Sequence, residues 1–494
     1  MDHDFCIFNT RMGGRYLYDT NTNTVHPVPD EIDDQFIRKI YDTSGNDIIH
    51  AVEVPNDELG AFLRYVTLWR KHTDAFSRKP CPPRFQLSGV DEAHKSQLLT
   101  SLAWDLILIT TEECNLRCAY CIHEEDLYPN RDKHGSRKMD IETTRKAIDL
   151  YLAANKNEMV KPFNLRALNI VFYGGEALLN WDVVKDGITY SREKYDGQNE
   201  FHIGITTNLT LLSCDDLPFL RDNKVFLTVS LDGPGEEHDR YRVYKNGAPT
   251  SGDVMKNLAM IRDFDREYYD VYVKALVTIN GNSDMSLIAD FFENTRDKIK
   301  IQIVSPLKDM FDSLFHKRYP FNKEKFIESA NRLQQSFENE CLKGRNFSTG
   351  EPFYAFCYDV ISGSFGAPNF CNYEKQWYTG ICAPWRKMAI TPDGNIHMCE
   401  RIGTGKPVGH IDYGFDEERL LQFYNEFFLS TDDCGSCWAR NRCIICPAEV
   451  DSGGKPYFEN RCDNIRDKVM INLENLYSML ELKPDLFVNE FPYY

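Results

Sequence analysis

Six short apolar runs, separated by stretches of helical period, govern what the middle of this chain can become. The runs occupy residues 104–110, 169–173, 202–207, 225–231, 271–279 and 299–305, and amphipathic patterns such as 141–154, 183–194 and 253–264 lie between them. Each run is continuously apolar, which predicts strands paired in parallel with helices packed outside. The fold class expected is α/β, a partial (β/α)6 TIM-like barrel open on one side. In parallel α/β folds the chemistry sits at the carboxyl ends of the strands.

Directly after the first run comes Cys114-Asn115-Leu116-Arg117-Cys118-Ala119-Tyr120-Cys121. Three thiolates this close can wrap one face of a cubane iron–sulfur cluster and leave one iron without a protein ligand. An open iron can bind a small molecule. Ferredoxin-type sites supply four cysteines and carry only electrons, and zinc sites usually take four ligands in two separated pairs. Three buried cysteines on a loop are the bland alternative, which the clustering disfavours.

Composition narrows the rest. At 494 residues, two or three domains are expected, and 42% hydrophobic residues are enough for a real core. A net charge of −18 speaks against nucleic acid as a partner and suits a basic peptide. No apolar run of membrane-spanning length occurs, so no membrane partner is expected. The start, Met1-Asp2-His3-Asp4, lacks the regions of a signal peptide. A cytoplasmic location follows as an expectation, and the 16 cysteines are then expected to be reduced. They are unevenly placed, with eight between Cys371 and Cys462.

The octapeptide, including the aromatic Tyr120, resembles the signature of radical S-adenosylmethionine (SAM) enzymes. A six-unit partial barrel is what that resemblance also implies. After the second run comes Gly174-Gly175-Glu176. Read alone, two glycines let a ligand approach the backbone and the carboxylate can accept from an ammonium, or the segment is a turn and helix cap. It resembles the family's GGE segment, which holds the amino group of SAM. Thr207 and Asn208 end the third run; Ser230-Leu231-Asp232 ends the fourth, followed by His238-Asp239-Arg240-Tyr241-Arg242. By similarity these surround SAM, with Ser230 and Asp232 near the ribose or carboxylate. Arg242 would pair with the methionine carboxylate, which a guanidinium fork suits. A polar loop with a salt bridge is the alternative.

Residues 371–494 form a second constellation that resembles the SPASM extension with its two auxiliary [4Fe–4S] clusters, three clusters in all. By position, Cys434, Cys437, Cys443 and Cys462 would hold the distal cluster. Cys382, Cys399 and Cys446 would hold the proximal one, with Cys371 as a candidate fourth ligand. Zinc competes, because paired C-x2-C units also build zinc ribbons. Two residues rather than the commoner three separate Cys443 from Cys446. Asp393-Gly394 marks a hairpin between 388–391 and 396–399.

Residues 1–100 are expected outside the barrel, with strands at 6–10, 16–19 and 24–28 and helices at 32–41 and 58–71. This order suits a winged-helix-like α+β domain that binds the leader of a precursor peptide by strand addition; a mere cover for the barrel is the alternative. The barrel spans 101–310, with a mobile loop at 122–138, and a bridging region spans 311–370 with a helix at 323–342. The implied activity is oxidative crosslinking, thioether or carbon–carbon, of a ribosomally made peptide, with electrons from a flavodoxin or ferredoxin. Formylglycine formation in a sulfatase is the second reading, and a non-catalytic metal-binding scaffold the third.

Overall fold

The computed structural model describes residues 4–43, 58–73, 75–77, 105–123, 134–155, 168–195, 201–295, 299–306, 314–320, 322–345, 387–401, 406–420, 422–423, 437–443 and 461–484. The chain opens with β1 (Phe5–Asn9), β2 (Arg15–Asp19) and β3 (Thr24–Pro27), an antiparallel meander in the order β1-β2-β3. Helices α1 (Asp34–Asp42) and α2 (Glu58–Thr73) follow. Asp33 caps α1 by accepting from Phe36 N at 2.7 Å. Leu17, Ile37, Leu63 and Phe76 share one buried core, so this unit has its own interior.

All six expected strands of the middle region form: β4 (Asp105–Thr111), β5 (Leu168–Gly174), β6 (Phe201–Thr207), β7 (Val225–Ser230), β8 (Val273–Ile279) and β9 (Lys300–Pro306). They are parallel neighbours in sequence order. Residues on β7 and β8 alternate between buried and half-buried. Val225, Leu227 and Val229 face the helices, whereas Thr228, Ser230, Lys274 and Thr278 line a more accessible face. That face, which also carries Phe226 and Leu276, is half-buried because a sheet left open on one side admits solvent. Residues 271–272 end a short helix, Arg266–Tyr272, rather than opening β8.

The sheet does not stop at β4. The expected hairpin forms as β10 (Lys387–Ile390) and β11 (Asn395–His397), and β10 lies parallel to β4, Lys387 beside Asp105 and Ile390 beside Leu108. Two short strands, β12 (Gly409–His410) and β13 (Gly414–Phe415), complete a sheet of ten strands. The helix Lys323–Leu342 forms as expected in the bridging region. Residues 346–370 and most of the 122–138 loop lie outside the described residues, though Arg137 closes that loop by pairing with Glu112 and Asp393.

The N-terminal sheet docks on the C-terminal part of the chain. Phe8 and Tyr18 pack with Trp438 and with Ile465, Val469 and Leu473 of the last helix, Arg461–Leu482. Thr20 Oγ1 donates to Trp438 O at 2.8 Å, and the Arg440 guanidinium donates to Asn21 Oδ1 at 2.8 Å. The same turn faces inward through Asp19, which accepts from Tyr41 OH at 2.5 Å and Phe76 N at 2.8 Å. Removing the buried Arg440 side chain takes away the guanidinium that donates to Asn21 Oδ1, at a local cost of about 2 kcal/mol. R440A is expected to speed hydrogen exchange of the amides at 19–22 about thirtyfold; unchanged exchange would mean the seam does not hold this turn.

Candidate functional site

The cysteine loop leaves β4 and is pinned from three directions. Arg117 N donates to Val243 O at 2.9 Å and Ala119 N to Tyr241 O at 2.8 Å. Asn208 Nδ2 donates to Asn115 Oδ1 at 2.9 Å, tying the end of β6 to the loop. Gly175 N and Glu176 N donate to Thr111 O at 2.8 Å and Glu113 O at 2.9 Å. A Cβ on Gly174 would lie 2.3 Å from Thr111 O, and one on Gly175 2.3 Å from Glu113 O. Gly174 also has φ +148°. The glycine pair thus serves a close approach, but in this structure what it admits is the backbone that carries the cysteines.

Each of the three sulfurs receives a donor. Leu116 N points at Cys114 Sγ (3.4 Å), Arg242 Nη1 at Cys118 Sγ (3.8 Å) and His123 N at Cys121 Sγ (3.5 Å). Burial pushes the Cys114 and Cys121 thiols up to about 12, each further raised by Cys118, and burial raises Cys118 too, with the Arg242 guanidinium opposing the rise. Three thiolates so placed need a bound positive centre, and donors aimed at sulfur suit metal-bound thiolate rather than thiol. No three His, Cys, Asp or Glu side chains among the described residues converge on a single ion. A cubane asks for a wider triangle, because each sulfur holds a different iron. The donor set fits a cluster.

Each of the two strand-end carboxylates accepts from three protein donors. Glu176 accepts from Thr207 Oγ1 at 2.6 Å, Asn208 N at 2.7 Å and Leu178 N at 3.1 Å. Burial raises its pKa, and these hydrogen bonds oppose the rise. Asp232 Oδ2 accepts from Tyr120 OH and from Arg242 Nε (2.8 Å), and Oδ1 from Thr278 N at 2.9 Å. Tyr120, Asp232 and Arg242 are thus brought together, with Arg242 paired to Asp232, the salt bridge that the alternative reading of this segment named, while Ser230 ends β7 on the half-buried face.

Residues 108–289 match the Radical SAM superfamily profile. That stretch of the chain is a radical SAM domain. The chain is 27% identical over 300 residues to the cysteine-type anaerobic sulfatase-maturating enzyme of Clostridium novyi, covering 60% of this chain and 72% of that enzyme. It is 24% identical over 194 residues to the radical SAM cyclopropyl synthase TigE of Paramaledivibacter caminithermalis, 37% of this chain and 39% of that one. The curated relatives are matched over as little as 38% of their own length. The anSMEcpe structure with bound AdoMet and Cp18Cys peptide superposes with TM-score 0.55 at 18% identity, covering 78% of this chain and 98% of that one, and so shares the fold.

Beyond the radical SAM domain, Cys399, Cys437, Cys443 and Cys462 lie among the described residues, and Cys371, Cys382, Cys434 and Cys446 lie outside them. Arg401 N points at Cys399 Sγ at 3.5 Å, the same offset of two residues seen at Cys114 and Cys121. Sequence reasoning missed the charged group beside it. Glu400 accepts from Lys387 Nζ at 2.9 Å and from Cys399 Sγ at 3.1 Å. Arg401 Nη2 reaches Ser305 Oγ on β9 at 3.4 Å, so the group spans the open side of the sheet between β10 and β9. Burial pushes the Glu400 carboxyl up, but Lys387 and Arg401 outweigh it and hold the group below the usual range. The available signal was a carboxylate immediately after a candidate cysteine ligand.

Proposed function

We propose that this radical SAM enzyme matures a ribosomally made precursor peptide by an oxidative crosslink, thioether or carbon–carbon. The observation that carries the reading is the β1–β3 unit with α1 and α2, docked on the 437–443 cysteine loop through Thr20, Asn21 and Arg440. A folded unit in front of the barrel, joined to a cysteine-bearing loop, suits a domain that captures a leader. β3 is an end strand of its sheet, where a peptide can add as a further strand.

When bound, SAM and its cluster would supply radical chemistry able to remove a hydrogen from the substrate. Cys114, Cys118 and Cys121 would hold that cluster. Gly174, Gly175 and Glu176 would receive the amino group of SAM, and Ser230 and Arg242 its carboxylate, with Thr207, Asn208, Asp232 and Tyr120 framing them. The N–H aimed at Cys399 supports its reading as a ligand of the proximal auxiliary cluster with Cys382, Cys446 and Cys371. Cys434, Cys437, Cys443 and Cys462 would hold the distal one. A flavodoxin or ferredoxin would supply electrons.

The match to the sulfatase-maturating enzyme over 300 residues favours the second reading, conversion of a sulfatase residue to formylglycine. Anaerobic co-expression with short cysteine-bearing peptides encoded beside the gene separates the two. Loss of hydrogens in pairs from such a peptide, dependent on the three loop cysteines, is the expected result. An unchanged peptide together with formylglycine in a sulfatase-derived peptide would replace the first reading by the second.

A further inference from the structure

The segment between β7 and the helix Ser251–Phe264 contains a closed ring of hydrogen bonds that runs behind the Arg242–Asp232 pair through His238 and Thr250. Asp232 N donates to His238 Nδ1 at 3.2 Å. His238 Nε2 meets Thr250 Oγ1 at 3.1 Å, and Thr250 Oγ1 donates to Arg242 O at 2.8 Å. Arg242 Nε closes the ring on Asp232 Oδ2 at 2.8 Å. The directions are forced. Thr250 has a single hydroxyl proton, spent on Arg242 O, so its oxygen must accept from His238. His238 Nδ1 must be bare to accept from Asp232 N, so the imidazole is the neutral Nε2–H tautomer. Burial holds His238 down at about 4, which agrees with a neutral ring.

His238, Thr250, Asp232 and Arg242 are each at most 8% exposed. Asp239 anchors the far side of the ring by accepting from Thr250 N and Ser251 N, both at 2.8 Å. Arg242 is therefore held through its backbone N–H, which donates to His238 O at 3.0 Å, its backbone carbonyl and its Nε. The terminal nitrogens make only long contacts, 3.8 Å to Cys118 Sγ and 3.4 Å to Thr278 Oγ1. A guanidinium fixed at its root, with its fork turned to the cysteine loop, is prepared to receive a carboxylate there in a set orientation.

We propose that His238 and Thr250 are positioning residues that fix Arg242 beside Cys118, so that its fork meets the carboxylate of SAM without rearrangement. The inference rests on the reading that Arg242 takes that carboxylate.

The test measures SAM affinity by anaerobic equilibrium dialysis on cluster-loaded full-length protein. Iron content and the change that SAM makes in the electron paramagnetic resonance spectrum of the reduced cluster are read on the same samples. T250V, which keeps the shape and removes the hydroxyl, is expected to bind SAM about tenfold more weakly with iron content unchanged. T250S, which restores the hydroxyl, is expected to restore both affinity and spectrum. H238F, which keeps ring volume and drops both nitrogens, should match T250V and serves if T250V loses iron. Wild-type affinity in T250V or in H238F overturns the proposal, as does a T250S protein as weak as T250V. R242Q separates the two ideas: unchanged affinity there refutes the carboxylate reading itself, whereas weak binding in R242Q beside normal binding in T250V refutes only the brace.

Discussion

Replacing Cys118 with alanine is expected to reduce SAM cleavage to background and to remove the iron of one cluster per chain. Cys118 is the middle of the three cysteines proposed to hold the first cluster, and two remaining thiolates would not hold three corners of a cubane. Its sulfur is also the one that the Arg242 guanidinium faces, at 3.8 Å. The loop itself should survive, because its backbone bonds to Tyr241 and Val243 do not involve the thiol. The measurement is 5′-deoxyadenosine formed per chain under reducing, anaerobic conditions, alongside iron per chain. Robust cleavage by C118A would refute the assignment of the first cluster. Retained iron without cleavage would show the metal to be held elsewhere, since the C-terminal cysteines are untouched.

The second large effect is expected at Gly175, where a single methyl group meets backbone on the neighbouring strand. The added Cβ would sit 2.3 Å from Glu113 O and 2.9 Å from Glu112 O, neither of which can swing aside as a side chain would. Relief requires moving the segment that feeds the cysteine loop, and the bonds from Gly175 N to Thr111 O and Glu176 N to Glu113 O go with it. Overpacking and the lost bonds together cost about 3 kcal/mol. G175A should therefore show a lower urea midpoint and poor cluster loading. Gly252, with nothing within 4 Å of an added Cβ, is the control, and G252A is expected to change stability by less than about 1 kcal/mol. Equal effects of the two substitutions would remove the crossing as the reason for the glycine pair.

The parallel strands were legible because each is a local apolar run, and their order follows the chain. The cysteine loop was legible because its three cysteines fall within eight consecutive residues. What sequence did not disclose is what depends on contacts between distant segments. That β10 lies against β4 requires pairing residues 387–390 with 105–108, which no periodicity announces. The Lys387–Glu400 pair hides for the same reason. Glu176 and Asp232 were expected to meet the cofactor directly. Their hydrogen bonds to Thr207, Asn208, Tyr120 and Arg242 show how much of a strand-end carboxylate's capacity goes to holding its neighbours. His238 was passed over because a histidine inside a polar run carries no signal until Thr250 is seen to face it.

The pairing of β10 with β4 also sets an order of events on the ribosome. Until residues 387–390 emerge, β4 has a bare edge, and until 438–441 and the last helix emerge, so has the face of the N-terminal sheet that holds Phe8 and Tyr18. Both surfaces are made early and covered late, by the last quarter of the chain. A nascent chain of this protein therefore carries an unpaired strand edge and an apolar face through most of its synthesis, features that invite association with other chains. Truncation from the C-terminus would leave that immature state permanent.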